Sequence, residues 1–296
     1  MRILILGAGG MLGHKFMQLL SSKHEVTGTV RGSALSYNRF GIFDTNRLIG
    51  GMDVNDFDNV IKIISQVKPQ FVINCVGIIK QLEVANDPLI AISINSLLPH
   101  RLAALCRATG ARLIHISTDC VFSGRKGNYQ ESDISDAEDL YGRSKFLGEV
   151  NGESCLTIRT SIIGRELQTS YGLVEWFLQK SRDRTTGFKK AIYTGLTTIE
   201  LTQVIQSIIE THPDLTGLYQ VSSDPINKYD LLMLARKAFE VSANIVPVDM
   251  PVINRSLDST RFRKVMNYNP PSWQSMIQEL AADKTPYASW HNYTLT

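Results

Sequence analysis

The chain has 296 residues, 43% hydrophobic and 20% charged. That suits one sizeable α/β unit, or a large domain with a smaller one, and excludes a disordered polymer. The formal net charge is only +3, with no run of like sign, so there is no electrostatic reason to expect nucleic acid or an acidic membrane as partner. The four cysteines, Cys75, Cys106, Cys120 and Cys155, form no C-x-x-C pair and lie near no histidine at ligand spacing. They read as small buried hydrophobes of a reducing compartment, and no metal site is expected.

The first element in chain order is a short apolar run, residues 3–6, behind Met1-Arg2. A secretory h-region needs roughly 7–15 apolar residues and a membrane span roughly 18. This run is too short for either and leads into glycines, so it reads as a buried first strand. No longer apolar run stands out, and the expected location is cytoplasmic, away from the membrane. Residues 25–30, 71–74, 113–117 and 156–159 repeat the strand pattern. Residues 11–20, 60–67, 90–109 and 141–150 carry apolar positions at helical spacing between them. Strands that are apolar throughout and alternate with helices predict a Rossmann-like, doubly wound parallel sheet covered on both faces. Gly110 stops the long helix.

The second half is less regular. A helix over 198–209, a strand over 217–221 and a last helix over 272–280 are expected. The stretches 171–184 and 226–269 interrupt the alternation. This predicts a nucleotide-binding domain over 1–165, with contributions from about 190–222, and a smaller, partly discontinuous lobe within 166–296. The cleft between them is the natural place for a substrate.

The chemistry begins after the first strand, in Gly7-Ala8-Gly9-Gly10-Met11-Leu12-Gly13. Glycines at 7, 10 and 13 permit a tight turn, close approach of backbone to a pyrophosphate, and helix-on-strand packing. The helix opening there offers free N–H groups, including those near Met11 and Leu12, to an anion. A site dedicated to NAD carries an acid at the end of the second strand. Here that place holds Arg31, and a guanidinium suits a 2′-phosphate, so the cofactor expected is NADP(H), with NAD(H) as the alternative. Asp53, followed by Val54, stands before a helix, either to accept from an adenine amino group or to cap the helix.

The sharpest signal is Ser117-Thr118-Asp119 at a strand end followed by Tyr141-Gly142-Arg143-Ser144-Lys145. Tyr141 and Lys145 share a helix face. An ammonium near a phenol lowers its pKa and fits it for acid–base work, and the hydroxyl of Thr118 can bind the oxygen of a carbonyl. The histidines His14, His100 and His115 have no partner acid at fixed spacing and read as structural. Trp176 and Phe177 read as packing of the small lobe. Arg182, Arg184, Lys189 and Lys190 read as a solvated face, with a substrate diphosphate as the alternative.

Taken together these motifs resemble an extended short-chain dehydrogenase/reductase, and more narrowly the dTDP-4-dehydrorhamnose reductase group. The resemblance is carried by Gly7-x-x-Gly10-x-x-Gly13, Val72-Ile73-Asn74-Cys75, Ser93-Ile94-Asn95, Ile116-Ser117-Thr118-Asp119-Cys120-Val121-Phe122-Ser123-Gly124, Tyr141-Gly142-Arg143-Ser144-Lys145, Ile158-Arg159-Thr160-Ser161 and Tyr193-Thr194-Gly195-Leu196-Thr197-Thr198. It implies Thr118, Tyr141 and Lys145 as the catalytic trio. It also places Cys75, Val76, Gly77 and Asn95 with Lys145 at the cofactor, and Thr118, Asp119, Cys120 and Lys80 at the substrate. The reaction implied is reduction by NADPH of a keto group, C4 of a nucleoside-diphosphate 6-deoxy-4-keto sugar, in the supply of sugars for surface polysaccharide. A homodimer is compatible with this. Cys120 stands where Tyr is frequent, and residues 76–81 depart from the group's usual stretch, so the sugar is left open. The alternatives are an epimerase or dehydratase of the same superfamily, and a non-catalytic NADP-binding regulatory subunit.

Overall fold

The structure, a computed structural model, describes residues 1–180 and 184–291. Seven parallel strands form the central sheet: β1 (Arg2–Leu6), β2 (Glu25–Thr29), β3 (Leu48–Ile49), β4 (Phe71–Asn74), β5 (Arg112–Thr118), β6 (Cys155–Thr160) and β7 (Gly217–Gln220). Their spatial order is β7-β6-β5-β4-β1-β2-β3, so the winding reverses between β1 and β4. In doubly wound sheets ligands bind at that crevice, beyond the carboxyl ends of the strands.

The apolar runs are continuous because both faces are covered. Ile3, Ile5 and Ile73 face one cluster, with Phe16 and Leu20 of helix α1 (Gly13–Leu20). Leu4, Leu6 and Val72 face the other, with Val60 and Ile63 of α2 (Phe57–Val67) and Leu98 and Leu102 of α3 (Pro88–Thr109). Helix α4 (Leu140–Leu147) follows β5, α5 (Leu173–Gln179) lies in the first irregular stretch, and α6 (Thr198–Thr211) returns to the sheet with Leu201, Ile205 and Ile208 in the first cluster.

Several boundaries differ from the periodicity. Helix α1 starts at Gly13 rather than 11, and α4 stops at Leu147 rather than 150, where Gly148 packs so closely on the Asn95 carbonyl that a side chain would collide with it. Strand β3, with two residues, is too short to announce itself. Residues 226–269, which interrupt the alternation, hold helix α7 (Lys228–Ala238), which buries Leu231, Leu232 and Ala235 and is capped by Asn227, whose side chain accepts from Asp230 N at 2.8 Å. Helices α8 (Thr260–Met266), α9 (Trp273–Ala281) and α10 (Tyr287–His291) complete the chain. A small sheet joins Ile226–Asn227, Ala191–Tyr193 and Ile253–Asn254, and another pairs Arg184–Phe188 with Asn244–Val248. By length and composition alone the 22 residues of α3 are long and apolar enough to cross a membrane, a test that core helices also pass. Leu98, Leu102 and Cys106 of this helix are buried against the sheet, as in a core helix.

Candidate active site

The glycine loop lies at the crevice. Gly7 adopts φ +86°, and a Cβ there would press on Val76 Cγ2 at 3.2 Å and the Cys75 carbonyl carbon at 3.3 Å, so the loops after β1 and β4 meet at this residue. A side chain at Gly13 would collide with the Gly7 carbonyl, which is why α1 can begin directly behind the strand. No side chain caps the N-terminus of α1. Its free N–H groups and its dipole therefore suit a diphosphate. Gly9 has a different duty: the Tyr37 hydroxyl rests where its side chain would be. Arg31 is exposed just past β2. Asp53 neither caps α2 nor reaches across to it. Its carboxylate accepts from Asn55 N at 3.0 Å in a local turn, and the cap is Asp56, accepting from Asn59 N at 3.3 Å. Val54 packs on the second core cluster.

Across the crevice, β5 ends at Thr118. The Thr118 hydroxyl accepts from Cys120 N at 3.1 Å and donates to Asp119 Oδ1 at 3.2 Å. Gly142 lets α4 close onto this loop, since any side chain there would strike the Cys120 carbonyl. Asp139 fixes the helix start by accepting from Gly142 N at 2.6 Å. Tyr141 is thereby brought beside this loop, where Thr118 bears on its phenol. Lys145 donates from Nζ to the Ile116 carbonyl at 2.7 Å.

The electrostatics differ from the sequence expectation. The ammonium was expected to acidify the phenol. Burial instead pushes the Tyr141 phenol above its ordinary range, with Cys120, Asp119 and Asp139 adding to the rise and the Thr118 hydrogen bond opposing it. Burial also brings Lys145 down to about 8, against the raising influence of Glu149 and Cys75. Asp119 is raised by burial, offset by Arg255 and Lys80, and Cys120 is pushed up to about 11. Lys228 is lowered by burial and feels Lys80, Asp119 and Arg255.

Asn95 sits in a π-helical turn of α3, Ile92–Leu97. Its Oδ1 accepts from Ile78 N at 2.8 Å, and its Nδ2 donates to Ile78 O at 3.0 Å and Ser144 Oγ at 3.2 Å. It therefore holds the loop after β4, with exposed Gly77 and Lys80, against the helix that carries Tyr141. Behind the site Arg159 bonds Glu149 at 2.8 and 2.7 Å, and Glu149 accepts from Ser117 at 2.7 Å.

Sequence reasoning missed the groups contributed from far along the chain. Arg255 Nε donates to the Phe122 carbonyl at 2.8 Å, tying the strand Ile253–Asn254 to the loop after β5. The Tyr193 hydroxyl is buried, and Asp119 bears on it. Residue spacing carries no trace of these meetings. His115 Nδ1 accepts from Asn74 Nδ2 at 3.1 Å, since an amide nitrogen only donates. His100 Nε2 bonds the Leu147 carbonyl at 2.7 Å. Phe177 is fully buried in the first core cluster and Trp176 packs on it. Arg184, Lys189 and Lys190 are exposed, and Arg182 lies outside the described residues.

The family model for the RmlD substrate binding domain matches residues 1–285. A dTDP-4-dehydrorhamnose reductase from Aggregatibacter actinomycetemcomitans is 27% identical, with 95% of this chain and 98% of that protein covered. Methionine adenosyltransferase 2 subunit beta from Pongo abelii is 32% identical over 50% of this chain and 41% of its own length. Among solved structures, a hypothetical dTDP-4-dehydrorhamnose reductase from Sulfolobus tokodaii superposes with a TM-score of 0.77 at 27% identity, covering 93% of this chain and 99% of that one. A dTDP-4-dehydrorhamnose reductase from Bacillus anthracis, in complex with NADP, shares the fold with a TM-score of 0.78 at 20% identity, covering 94% and 98%.

Proposed function

The chain belongs to the RmlD substrate binding domain family, and on that premise we propose that it is an NADP(H)-dependent oxidoreductase reducing a keto group, C4 of a nucleoside-diphosphate 6-deoxy-4-keto sugar. What supports this reading is Thr118 at the carboxyl end of β5 with Tyr141 of α4 bearing on it, and Lys145 of the same helix bonded to the Ile116 carbonyl of that strand, across the crevice from an uncapped glycine-loop helix. The relatives named as dTDP-4-dehydrorhamnose reductases point the same way. In this reading the residues after 166 would complete the substrate cleft, with Lys80, Lys228 and Arg255 as the cations that bear on Asp119.

NADPH, when bound, supplies the hydride to the keto carbon. The residues that would hold it are Gly10, Met11, Leu12 and Gly13 at the pyrophosphate, Arg31 at the 2′-phosphate and Lys145 at the nicotinamide ribose. Thr118 would turn its hydroxyl proton from Asp119 to the substrate oxygen and so orient it. Tyr141 gives its proton to that oxygen as charge develops there and takes one back from solvent. Burial keeps the phenol protonated until this moment, and the forming alkoxide is a stronger base than the phenolate. Lys145, anchored on the Ile116 carbonyl one helical turn from Tyr141, would ease that loss with its ammonium once substrate and cofactor are in place.

The test is consumption of NADPH, read as loss of nicotinamide absorbance, with a panel of 4-keto-6-deoxy sugar nucleotides. Turnover with at least one supports the reading, and isomerisation without net cofactor consumption replaces it with the epimerase reading. The half-length likeness to a methionine adenosyltransferase subunit favours a second reading, a cofactor-binding regulatory subunit. NADPH binding with no turnover, and stable capture of a purified adenosyltransferase catalytic subunit, would select that one.

A further inference from the structure

The first turn of α1 contains a hydrogen-bond chain that runs from the glycine loop to Tyr287, 273 positions beyond His14 in the sequence. The Gly10 carbonyl accepts twice from one residue, from His14 N at 3.1 Å and from His14 Nδ1 at 2.9 Å. His14 Nε2 lies 2.7 Å from the Tyr287 hydroxyl. His14 is fully buried, and burial lowers its imidazole to about 4, against the raising hydrogen bond to Gly10, so the ring is neutral. A carbonyl oxygen only accepts, so Nδ1 carries the single ring proton. Nε2 then bears the lone pair, and the Tyr287 hydroxyl must donate to it. The tautomer is fixed at both ends.

This chain reaches the loop's outward face through peptide geometry. In a planar trans peptide the C=O and the following N–H point in opposite directions. Holding the Gly10 oxygen toward the helix therefore aims the Met11 N–H away from it, out of the uncapped N-terminus. Tyr287 is itself fastened to this helix: Asp283 pairs with Lys15 at 2.6 Å, Thr285 accepts from Gln18 at 3.1 Å, and the Arg165 guanidinium lies 4.5 Å over the Tyr287 ring. Trp290 packs edge-on against both Tyr287 and Phe40, whose neighbour Tyr37 rests on Gly9.

We propose that His14 is a positioning residue for the dinucleotide, held in one tautomer by Tyr287, and that it aims the Met11 N–H at the pyrophosphate. Residues 283–291 thereby belong to the cofactor site although nearly the whole chain separates them from it. The proposal rests on the reading that the glycine loop holds the pyrophosphate of NADPH.

Two substitutions at one position separate aiming from packing. In His14→Asn the amide nitrogen falls where Nδ1 was and can still donate to Gly10, while Tyr287 is lost as a partner. In His14→Gln the amide lies where Nε2 was, keeping Tyr287 and losing Gly10. The Gln variant should raise the dissociation constant and KM for NADPH roughly three- to tenfold, the net worth of one hydrogen bond, and the Asn variant should recover to within about twofold. The loss should appear in KM rather than in kcat at saturating NADPH. Equal weakening in both variants, or losses that track melting temperature, would overturn the proposal. A wild-type protein that does not bind NADPH would instead remove the reading of the loop. Nitrogen NMR of the wild-type His14 ring gives an independent check if a variant does not fold. A protonated Nδ1 is expected, and a protonated Nε2 contradicts the chain described here.

Discussion

Gly142 touches the carbonyl of Cys120 so closely that even a methyl group cannot stand between them. That contact sets α4 on the loop after β5 and so sets Tyr141 beside Thr118. Gly142→Ala should force the two elements apart. The expected cost is about 1–3 kcal/mol of stability, as for overpacking elsewhere, with a fall in turnover and little change in NADPH affinity. Urea unfolding together with steady-state kinetics checks this, and an alanine variant of unchanged rate would separate the contact from the chemistry.

Arg31→Ala should narrow the preference for NADPH over NADH. A guanidinium paired with a phosphate dianion is a charge-assisted contact, and its loss should weaken NADPH while leaving NADH nearly as before. Calorimetric titration of both cofactors reads the difference. Equal affinities in the wild-type protein would remove Arg31 from the site.

The helix periodicity, the glycine spacing and the Tyr141/Lys145 pair were legible in the sequence because each is local. A four-residue interval fixes a shared helix face wherever the helix lies. Asp53 was less legible because a carboxylate before a helix looks the same whether it caps the helix or closes a turn, and the cap proved to be Asp56. Arg255 and Lys228 could not be read at all, and Tyr193 stood out only as part of a family motif. They arrive through strand pairing in the small sheet, between segments dozens of positions apart, and nothing near Arg255 or Lys228 marks them. The bond from His14 to Tyr287 was illegible for a related reason, since the two are 273 positions apart.

The buried pair of Arg159 and Glu149 stands behind the site, with Ser117 as its third member. Glu149→Gln leaves a guanidinium in the interior without its counter-charge. Removing one partner of such a pair typically costs about 3–5 kcal/mol. Chemical denaturation should show that loss, and a change within about 0.5 kcal/mol, the range of ordinary surface substitutions, would mean that water reaches the pair.

Lys145 makes a prediction about pH. Its ammonium is brought down to about 8 by burial. If the charged form serves the reaction, kcat/KM should decline as pH rises through about that value. The stability effect has the opposite sense. The folded pKa lies below the unfolded one, so the burial cost is fully present below about 8 and is relieved as pH rises toward the unfolded value near 10.4. Lys145→Met should therefore look relatively more stable at neutral pH than at high pH, and denaturation at the two values checks the sign.

The central claim is that Tyr141 is the proton donor. Tyr141→Phe keeps the ring and its packing and removes only the hydroxyl. Single-turnover hydride transfer, measured with the enzyme saturated in NADPH and a keto sugar nucleotide, should slow by about 10²–10⁴-fold, the usual weight of general acid catalysis, with cofactor affinity nearly unchanged. A Tyr141→Phe enzyme that transfers hydride at close to the wild-type rate would contradict the account, because another group would then be supplying the proton.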